Sequence, residues 1–481
     1  LDDYGDIVTR NGNKLYYKKS NILTKENKLF LPNGWYTISE NGDLTVKSSR
    51  FSMESNRIDV VPYYTINDNN ELVTYRIGSI NLPSKYAKSN SDGSFTISGE
   101  FFNTVKDFYS IVDDNLVLND SFYTVETQGT VQPQSASVVL DSKTAEVVAI
   151  MSKRGNSPDD TIDRATQFTR SPASSFKPLA VYAPAIEEGR TLASPVDDTP
   201  FSMIEDQAWP KNFDGNYYGI VTTREALFRS LNSPAIKIFN DMGIEKSMEY
   251  LERFGIIDSE DPENDNFITK KENFANNDET LSTAIGGLSE GLTVYDMASA
   301  YQTFANNGER IKSSIITSIT SDSLGDIYKN EHKPIKVISE ETNWLIGNVL
   351  SDIASQDYLG AVSRSDIFTA GKTGTQNDQR DFWFVGYNPY YTAATWVGFD
   401  NNSISMDGNS ATASRVWNSY MSKFIEDKDP ATFEKPAGIT TKEVSKLDGL
   451  LPSPYTYRDP RGNMAYTEFF KSGTEPTKMS E

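Results

Sequence analysis

The sequence predicts a mixed α and β protein of the α+β kind, because strand-like and helix-like segments occupy separate stretches of its 481 residues. Residues 1 to about 130 show short alternating runs between turns, including an Asn41-Gly42 pair that is typical of a hairpin. The middle of the chain has helical spacing, and three strand-like runs follow Ile367. We therefore predict a β-rich N-terminal domain (1–130), a central domain (131–432) and a small C-terminal module (433–481).

The central domain is predicted to begin with two strands, "SASVVLD" and "AEVVAIM", that pair around a turn at "SKT". Helices follow: Thr222 and Glu225 form a capping box, and the next helix has Ser233 as its cap and Gly243 as its terminator. A further helix covers "LTVYDMASAYQTFANNG". The last strands are "IFTAGKTGT", "DFWFVGYN" and "YYTAATWVGF", with an "NP" turn between the last two.

Composition narrows the possible functions. The net charge of −21 disfavours nucleic acid and anionic membrane surfaces as partners. The chain has no cysteine and a single histidine, His332, so we predict no thiolate chemistry and no cysteine-based or histidine-based zinc site. Nothing in the sequence suggests a metal or organic cofactor. His332 lies in a charged, proline-containing stretch that is typical of a surface loop. A serine enzyme with this sequence would therefore use a lysine as its base.

The chain contains no run of about 18 apolar residues, so none of its segments is predicted to span a membrane. It begins with Leu1 rather than methionine. We therefore expect it to be a fragment whose upstream part, including a membrane anchor, is missing.

One serine stands three residues before a lysine, Ser174 and Lys177 in "RSPASSFKPLAVYAPAIEEG", and this is the one Ser-x-x-Lys of the sequence. On a helix, residues three apart lie on one face. The apolar run after Lys177 would remove water from its amine and lower its pKa, which would let it act as a base toward Ser174. The alternative is a capping serine beside a lysine that reaches solvent. Near Pro184 we expect a kink or a helix break.

Two further short motifs follow. Ser230 and Asn232 lie between two predicted helices, where a hydroxyl can relay a proton and an amide can hold a substrate amide. An ordinary helix-end turn is the alternative for this motif. "GKTGT" is a predicted strand on which Lys372 and Gly374 point to one side, and Gly374 would leave room for a substrate backbone. The alternative here is a strand flanked by turns.

The combination is far more specific than its parts. Ser-x-x-Lys is followed after 56 residues by Ser-x-Asn and after a further 142 residues by Lys-Thr-Gly, the set found in β-lactamases and penicillin-binding proteins. The chain resembles the transpeptidase part of a class A (bifunctional) penicillin-binding protein of the Gram-positive type, over roughly residues 132–475. Segments such as "GGLSEGLTVYDMASAYQTFANNG" and "TEFFKSGTEPT" add to the resemblance. The family usually has glycine in place of Ala173.

The resemblance implies a fold and a set of catalytic roles. The fold would be an antiparallel sheet flanked by helices, the serine β-lactam-recognising transpeptidase fold. Ser174, activated by Lys177, would be the nucleophile, and its own backbone N–H with that of Thr375 would hold the oxyanion. Ser230 and Lys372 would pass a proton to the departing D-alanine.

The remaining site residues would bind the substrate. Asn232 would position the donor peptide, and the "KTGT" strand would hold its terminal carboxylate. A structural role is the alternative for the cleft residues outside the three motifs. The predicted substrate-binding residues are Asn232, Thr373, Gly374, Thr375, Asn377 and Trp209, with Asn212 and Gln376 as further cleft candidates.

The resemblance also implies partners and a location. The substrates would be peptidoglycan stem peptides, a D-Ala-D-Ala donor and an amine acceptor, and β-lactams would be covalent inhibitors. The domain would lie at the extracytoplasmic face of the cell membrane, and the full-length protein would carry an upstream anchor and glycosyltransferase domain. A D,D-carboxypeptidase, a β-lactamase-type hydrolase and a catalytically silent sensor or scaffold stay open as alternatives.

Overall fold

The computed structural model describes residues 1–9, 11–47, 50–69, 71–154, 161–376 and 378–481. The chain forms two compact units, the first mainly from Leu1–Pro133 and the second from Gln134–Arg154 and Ile162–Glu481. Across these described ranges, no helix has both the length and the apolar character needed to cross a bilayer.

The first unit consists of short, mostly antiparallel strands around an apolar core. The predicted hairpin is confirmed: Tyr36–Ile38 pairs with Leu44–Val46, and Gly42 supplies the positive φ of +80° that its turn requires. The β-rich N-terminal region is therefore confirmed. Its helices are Lys19–Ile22 and Gly99–Thr104, and its strands are Ile7–Val8, Lys14–Lys18, Phe30–Leu31, Tyr36–Ile38, Leu44–Val46, Phe51–Glu54, Arg57–Val60, Tyr63–Ile66, Leu72–Tyr75, Ile80–Asn81, Ala87–Ser89, Phe95–Ile97, Tyr109–Val112, Asn115–Leu118 and Thr130–Val131.

The second unit combines one larger sheet, several two-stranded ribbons and a set of helices. Its strands are β1 (Gln134–Asp141), β2 (Val147–Met151), β3 (Pro195–Asp198), β4 (Ser202–Ile204), β5 (Gln207–Trp209), β6 (Gly219–Thr222), β7 (Glu309–Ile311), β8 (Ser318–Ser321), β9 (Gly325–Lys329), β10 (Pro334–Lys336), β11 (Ala370–Thr375), β12 (Asp381–Tyr387), β13 (Tyr391–Gly398), β14 (Ile439–Ser445) and β15 (Ala465–Lys471). Its helices are α1 (Ala183–Glu187), α2 (Thr223–Phe228), α3 (Asn232–Met242), α4 (Ile244–Phe254), α5 (Val294–Ala305), α6 (Glu340–Ala354), α7 (Ala411–Phe424) and α8 (Pro454–Tyr457).

The larger sheet has the order β2-β1-β13-β12-β11 and is antiparallel throughout. Helices pack on both faces of this sheet. Alternate side chains of β12 point to opposite faces, so neighbouring residues of this strand contact different helices. Tyr387 packs against Phe304 of α5, and Phe384 packs against Trp417 of α7. The predicted antiparallel sheet flanked by helices is confirmed, with the "KTG" strand β11 at one edge.

Two local predictions about the helices have different outcomes. The predicted capping box of α2 is confirmed in its first half, because the Thr222 side chain accepts the N–H of Glu225; the Glu225 carboxylate accepts from Arg229 instead of from the Thr222 N–H. The predicted cap of α3 is wrong: Ser233 lies inside the helix, which begins at Asn232, and the Ser233 hydroxyl donates to the Thr199 carbonyl. The N–H of Asn232 donates instead to Asn212 Oδ1 at 2.7 Å. A side chain from a distant loop therefore caps α3, which the local sequence cannot reveal.

The segment that begins with the Ser-x-x-Lys motif is helical but changes its winding twice. Ala173–Phe176 form a 3₁₀ turn, Pro178–Tyr182 form a π turn, and α1 follows from Ala183. The expected break near Pro184 agrees with this change of winding at Ala183. In a 3₁₀ turn the side chains three residues apart eclipse each other, so the serine and the lysine share one face of the turn.

The C-terminal β14–β15 pair is attached to the helices by two ion pairs. Glu468, which is fully buried, accepts two hydrogen bonds from Arg224 of α2 (2.7 and 2.8 Å). Lys471 donates to Glu187 at the end of α1 (2.7 Å). These strands therefore hold the helix that leads into the Ser230 motif.

Candidate active site

The turn that carries Ser174 is held by a left-handed residue and a close glycine contact. Ala173 has φ +48°, a region that costs an L-residue about 1 kcal/mol and that glycine enters freely. Gly286, with φ +77°, lies so close to the Ala173 backbone that a Cβ there would overlap it. Ser171 Oγ also donates to the Gly286 carbonyl at 2.7 Å. Ser174 itself is half-buried at the start of this braced turn.

Strand β11 lies directly against this turn at Gly374. An ideal Cβ on Gly374 would overlap the Pro172 carbonyl oxygen and would lie 3.1 Å from both Ser175 Oγ and Trp383 Cβ. The space expected for a substrate backbone on this side of Gly374 is therefore filled by the turn of the nucleophile. The glycine allows the first and the third motif to touch.

The open edge of β11 presents backbone donors beside this contact. The N–H of Gln376 donates to the Asp381 carbonyl (3.2 Å), so Gln376 points toward β12. Because donors alternate along a strand, the N–H groups of Thr375 and Thr373 point to the open edge. Lys372 Nζ donates to the Thr373 carbonyl at 2.9 Å, which agrees with this direction. The geometry is compatible with the predicted oxyanion contact of the Thr375 N–H.

Lys177 joins the first motif to the second. Its side chain is fully buried, and its Nζ donates to the carbonyls of Ser230 (2.6 Å) and Leu231 (3.1 Å). The same nitrogen donates to Asn232 Oδ1 at 2.7 Å and lies 3.4 Å from Ser230 Oγ. Of the contacts the structure describes, none is a hydrogen bond between Ser174 Oγ and Lys177 Nζ. Catalytic hydrogen bonds are often long before a substrate binds.

The backbone at Ser230 explains how these acceptors reach the lysine. Helix α2 ends at Phe228, and Ser230 adopts φ +58° before α3 begins at Asn232. This left-handed bend turns the carbonyls of Ser230 and Leu231 inward, toward Lys177 Nζ. The predicted exposed junction between two helices is therefore a tight bend around a buried amine.

Burial changes the ionisation of both lysines. Desolvation lowers the pKa of Lys177 well below its ordinary value, the positive charge of Lys372 lowers it further, and the Asp198 carboxylate opposes both effects. Desolvation alone lowers the pKa of Lys372 to about 7. The charge of Lys372 acts on the Lys177 amine, so the Lys-Thr-Gly strand lies near the other two motifs. Burial therefore shifts both amines toward the neutral form that can accept a proton.

The amide of Asn232 is engaged on both sides. Its Oδ1 accepts from Lys177, and its Nδ2 donates to the Lys211 carbonyl at 2.7 Å. Asn212 lies behind it and is buried, with Nδ2 donating to the Asp198 carboxylate (2.9 and 3.0 Å). Asn212 therefore supports Asn232 within the protein. Sequence reasoning missed Asp198, because nothing in "SPVDDTP" distinguishes it from a surface acid.

The other predicted cleft residues are less closely tied to this centre. Trp209, in β5, is half-buried and packs edge-on against Phe201, with ring centroids 6.1 Å apart. Gln376 follows β11 directly, and its Oε1 is buried without a partner among the described residues. Asn377 lies outside the described residues. Thr373 and Thr375 are half-buried on the side of β11 opposite Lys372 and Gly374.

The single histidine lies apart from the three motifs. His332 Nδ1 lies 3.1 Å from the Thr144 carbonyl and its Nε2 lies 3.2 Å from Glu146, contacts that involve none of the three motifs. Within the described ranges, no group of three or more histidine, aspartate or glutamate side chains is placed to hold a metal ion.

The matches to known protein families cover the residues that form this site. Residues 135–422 match the family described as penicillin binding protein transpeptidase domain. The chain belongs to this family. Residues 435–481 match a second family, the penicillin-binding protein 1A C-terminal domain. The first match contains Ser174, Ser230 and Lys372, so it includes all three motifs.

Curated relatives carry the same family name. Penicillin-binding protein 1A of Clostridium botulinum (strain Langeland) is 32% identical over 394 residues, which cover 78% of this chain and 46% of the relative. Penicillin-binding protein 1A of Clostridium tetani is 29% identical over 418 residues, covering 83% and 51%. The chain thus spans about half the length of these two relatives.

Solved structures share the fold. Penicillin-binding protein 1A from Haemophilus influenzae matches with a TM-score of 0.61 and 22% identity, over 100% of this chain and 69% of that chain. PonA1 from Mycobacterium tuberculosis, solved in complex with penicillin V, matches with a TM-score of 0.55 and 23% identity, over 64% and 81%. At these identities the likeness shows the fold, which is that of penicillin-binding protein transpeptidase domains.

Proposed function

We propose that this chain is a serine D,D-transpeptidase that cross-links peptidoglycan stem peptides and is acylated by β-lactams. One observation carries the proposal, which is that the three motifs meet around Lys177. This lysine is fully buried and donates hydrogen bonds to Ser230 and Asn232. The charge of Lys372 acts on it, and the strand that carries Lys372 touches the Ser174 turn. The penicillin V complex of the structural relative PonA1 supports β-lactams as ligands of such a site.

Acylation begins with attack by Ser174 Oγ on the carbonyl carbon between the two D-alanines. The hydroxyl proton passes to the amine of Lys177, whose pKa is lowered by burial. The oxyanion is stabilised by the backbone N–H groups of Ser174 and Thr375. The peptide C–N bond then breaks, and the proton that Lys177 accepted passes through Ser230 and Lys372 to the departing D-alanine nitrogen, which frees Lys177 to act as the base again.

Transfer completes the cycle. The amine of a second stem peptide attacks the ester carbonyl of the acyl-enzyme, forms a new amide bond and gives up a proton to the base. Ser174 Oγ leaves and regains its proton. Asn232 keeps Lys177 directed toward the reacting atoms through the 2.7 Å bond to its Nζ.

Thr373 and Thr375 complete the proposed binding site for the terminal carboxylate, with Lys372 supplying the positive field. Trp209 and Asn377 complete the proposed list of substrate contacts, whereas Gly374 serves to let the strand touch the Ser174 turn. The stem peptides of peptidoglycan lie outside the cytoplasm, so we place the domain at the extracytoplasmic face of the membrane.

The proposal is tested with a peptide ending in D-Ala-D-Ala and a large excess of an amine acceptor. We expect D-alanine release together with the new amide product, both lost in Ser174→Ala, while Ser289→Ala, at an unrelated serine, keeps wild-type rates. Release of D-alanine with hydrolysed peptide alone would favour a carboxypeptidase. A penicillin adduct that is lost within seconds would favour a β-lactamase, and absence of any adduct would refute the proposal.

A further inference from the structure

Asp198 is a buried carboxylate with no ion-pair partner among the described residues. It is fully buried at the end of β3, and among the described residues no lysine or arginine forms an ion pair with it. Its oxygens accept from Asn212 Nδ2 (2.9 and 3.0 Å) and from the N–H of Tyr218 (3.0 Å). A buried carboxylate is costly without a compensating charge, so its presence calls for an explanation.

The contacts of Asn212 leave its amide a single orientation. Nδ2 donates both to Asp198 and to the Asn216 carbonyl (2.8 Å), and an oxygen at that position would face only acceptors. Oδ1 therefore points toward Asn232 and accepts its N–H at 2.7 Å. Asp198 and the Asn216 carbonyl together fix the group that caps α3.

These hydrogen bonds continue through Asn232 to the amine of Lys177. Asn232 is held by Asn212 through its N–H and by the Lys211 carbonyl through Nδ2, so its Oδ1 faces Lys177 Nζ at 2.7 Å. Each link from Asp198 to Lys177 is a hydrogen bond of 3.0 Å or less. The path runs through Asn212 and Asn232 by direct hydrogen bonds.

We propose that Asp198 is a positioning residue of this active site, which orients Lys177 through Asn212 and Asn232 and supplies the negative charge that balances the buried amine. The inference rests on the proposed function. Two charged groups act on the Lys177 amine, Lys372 from β11 and Asp198 from β3, and they act with opposite sign. The Tyr182 hydroxyl, from the π turn next to Lys177, is buried without a hydrogen-bond partner among the described residues, and the charges of Arg190 and Asp198 act on it.

The test is the pH dependence of acylation by a fluorescent penicillin. Asp198→Asn removes the negative charge, so Lys177 should lose its proton at lower pH, and the acid limb of the rate profile should move down by roughly half a pH unit or more. Asn232 also loses its fixed support, so the maximal rate should fall by about ten-fold. Asp296→Asn is the control, because the Asp296 carboxylate is half-buried and accepts hydrogen bonds from Asn266 and Thr293, outside the path to Lys177.

A second variant separates orientation from charge. Asn212→Ala keeps the carboxylate but cuts the path, so we expect a rate loss of about ten-fold with the acid limb at its wild-type pH. An unmoved limb in Asp198→Asn, or an Asn212→Ala rate within about three-fold of wild type, would overturn the inference.

A direct titration keeps the inference independent of catalysis. In the full chain labelled with ε-¹³C-lysine, the signal lost in Lys177→Met reports Lys177, and Asp198→Asn should lower its titration midpoint. If the wild-type chain is never acylated but this midpoint moves as expected, the proposed function fails and the inference stands. If the midpoint does not move, the inference fails whatever the activity.

Discussion

Gly374→Ala should separate the nucleophile from the strand that completes its site. The added methyl group would overlap the Pro172 carbonyl oxygen and would lie 3.1 Å from Ser175 Oγ and Trp383 Cβ. The carbonyl is part of the backbone and cannot rotate away, so the turn and the strand must move apart, by on the order of 1 Å given ordinary carbon–oxygen contact distances.

A displacement of that size predicts the magnitude of the effect. Misplacing a catalytic group by about 1 Å costs on the order of 10²-fold in rate, and overpacking a close contact costs about 1–3 kcal/mol of stability. We therefore expect acylation by a fluorescent penicillin, measured by rapid quench, to slow by about 100-fold, with a modest fall in the melting temperature.

Gly371→Ala is the matched control on the same strand. Its Cβ would point to the opposite face of the sheet, 2.5 Å from Phe384 Cζ, and would clash without touching the Ser174 turn. We expect a comparable loss of stability with acylation slowed by less than about five-fold. Equal acylation rates in Gly374→Ala and Gly371→Ala would refute the reasoning, because the loss would then follow stability alone.

Three other predictions follow from the second unit. Ala173→Gly should stabilise the protein by roughly 1 kcal/mol in thermal unfolding, because it relieves a φ of +48°; a lower melting temperature would contradict this. Glu468→Gln should cost about 3 kcal/mol in denaturant unfolding, because it breaks a buried pair with Arg224; an unchanged midpoint would argue against it. The pKa of Lys372 is lowered to about 7, so the unfolded chain binds an extra proton above that pH, and the free energy of unfolding should rise by up to about 1.4 kcal/mol per pH unit between roughly pH 7 and 10. This rise should be weaker in Lys372→Met, and an identical slope would show that Lys372 is charged when folded.

Local patterns predicted the elements whose signals are contained in a few neighbouring residues. The "GKTGT" strand at the sheet edge, the Asn41-Gly42 hairpin and the Thr222 cap each depend on short-range rules, and each is present in the structure. The three-part division of the chain at residues 130 and 432 stays a prediction, as do the roles of the individual site residues.

Contacts between residues far apart in the sequence account for the features that could not be predicted. Ser233 looked like a cap, but Asn212, some twenty residues earlier, caps α3 and frees the Ser233 hydroxyl for another partner. Gly374 looked like room for a substrate, but the space is filled by the Ser174 turn, which is far away in sequence. No local sequence pattern marks Asp198, because its importance depends on the amide groups that the fold places around it.

The most direct test of the central claim is the site of penicillin attachment. The intact protein should gain the mass of one penicillin, and tandem mass spectrometry of the digested adduct should place it on Ser174 rather than on the neighbouring Ser175. The adduct should disappear in Ser174→Ala and form slowly in Lys177→Met. Attachment to any other residue, or an undiminished rate in Lys177→Met, would contradict the claim that these motifs form one acylation centre.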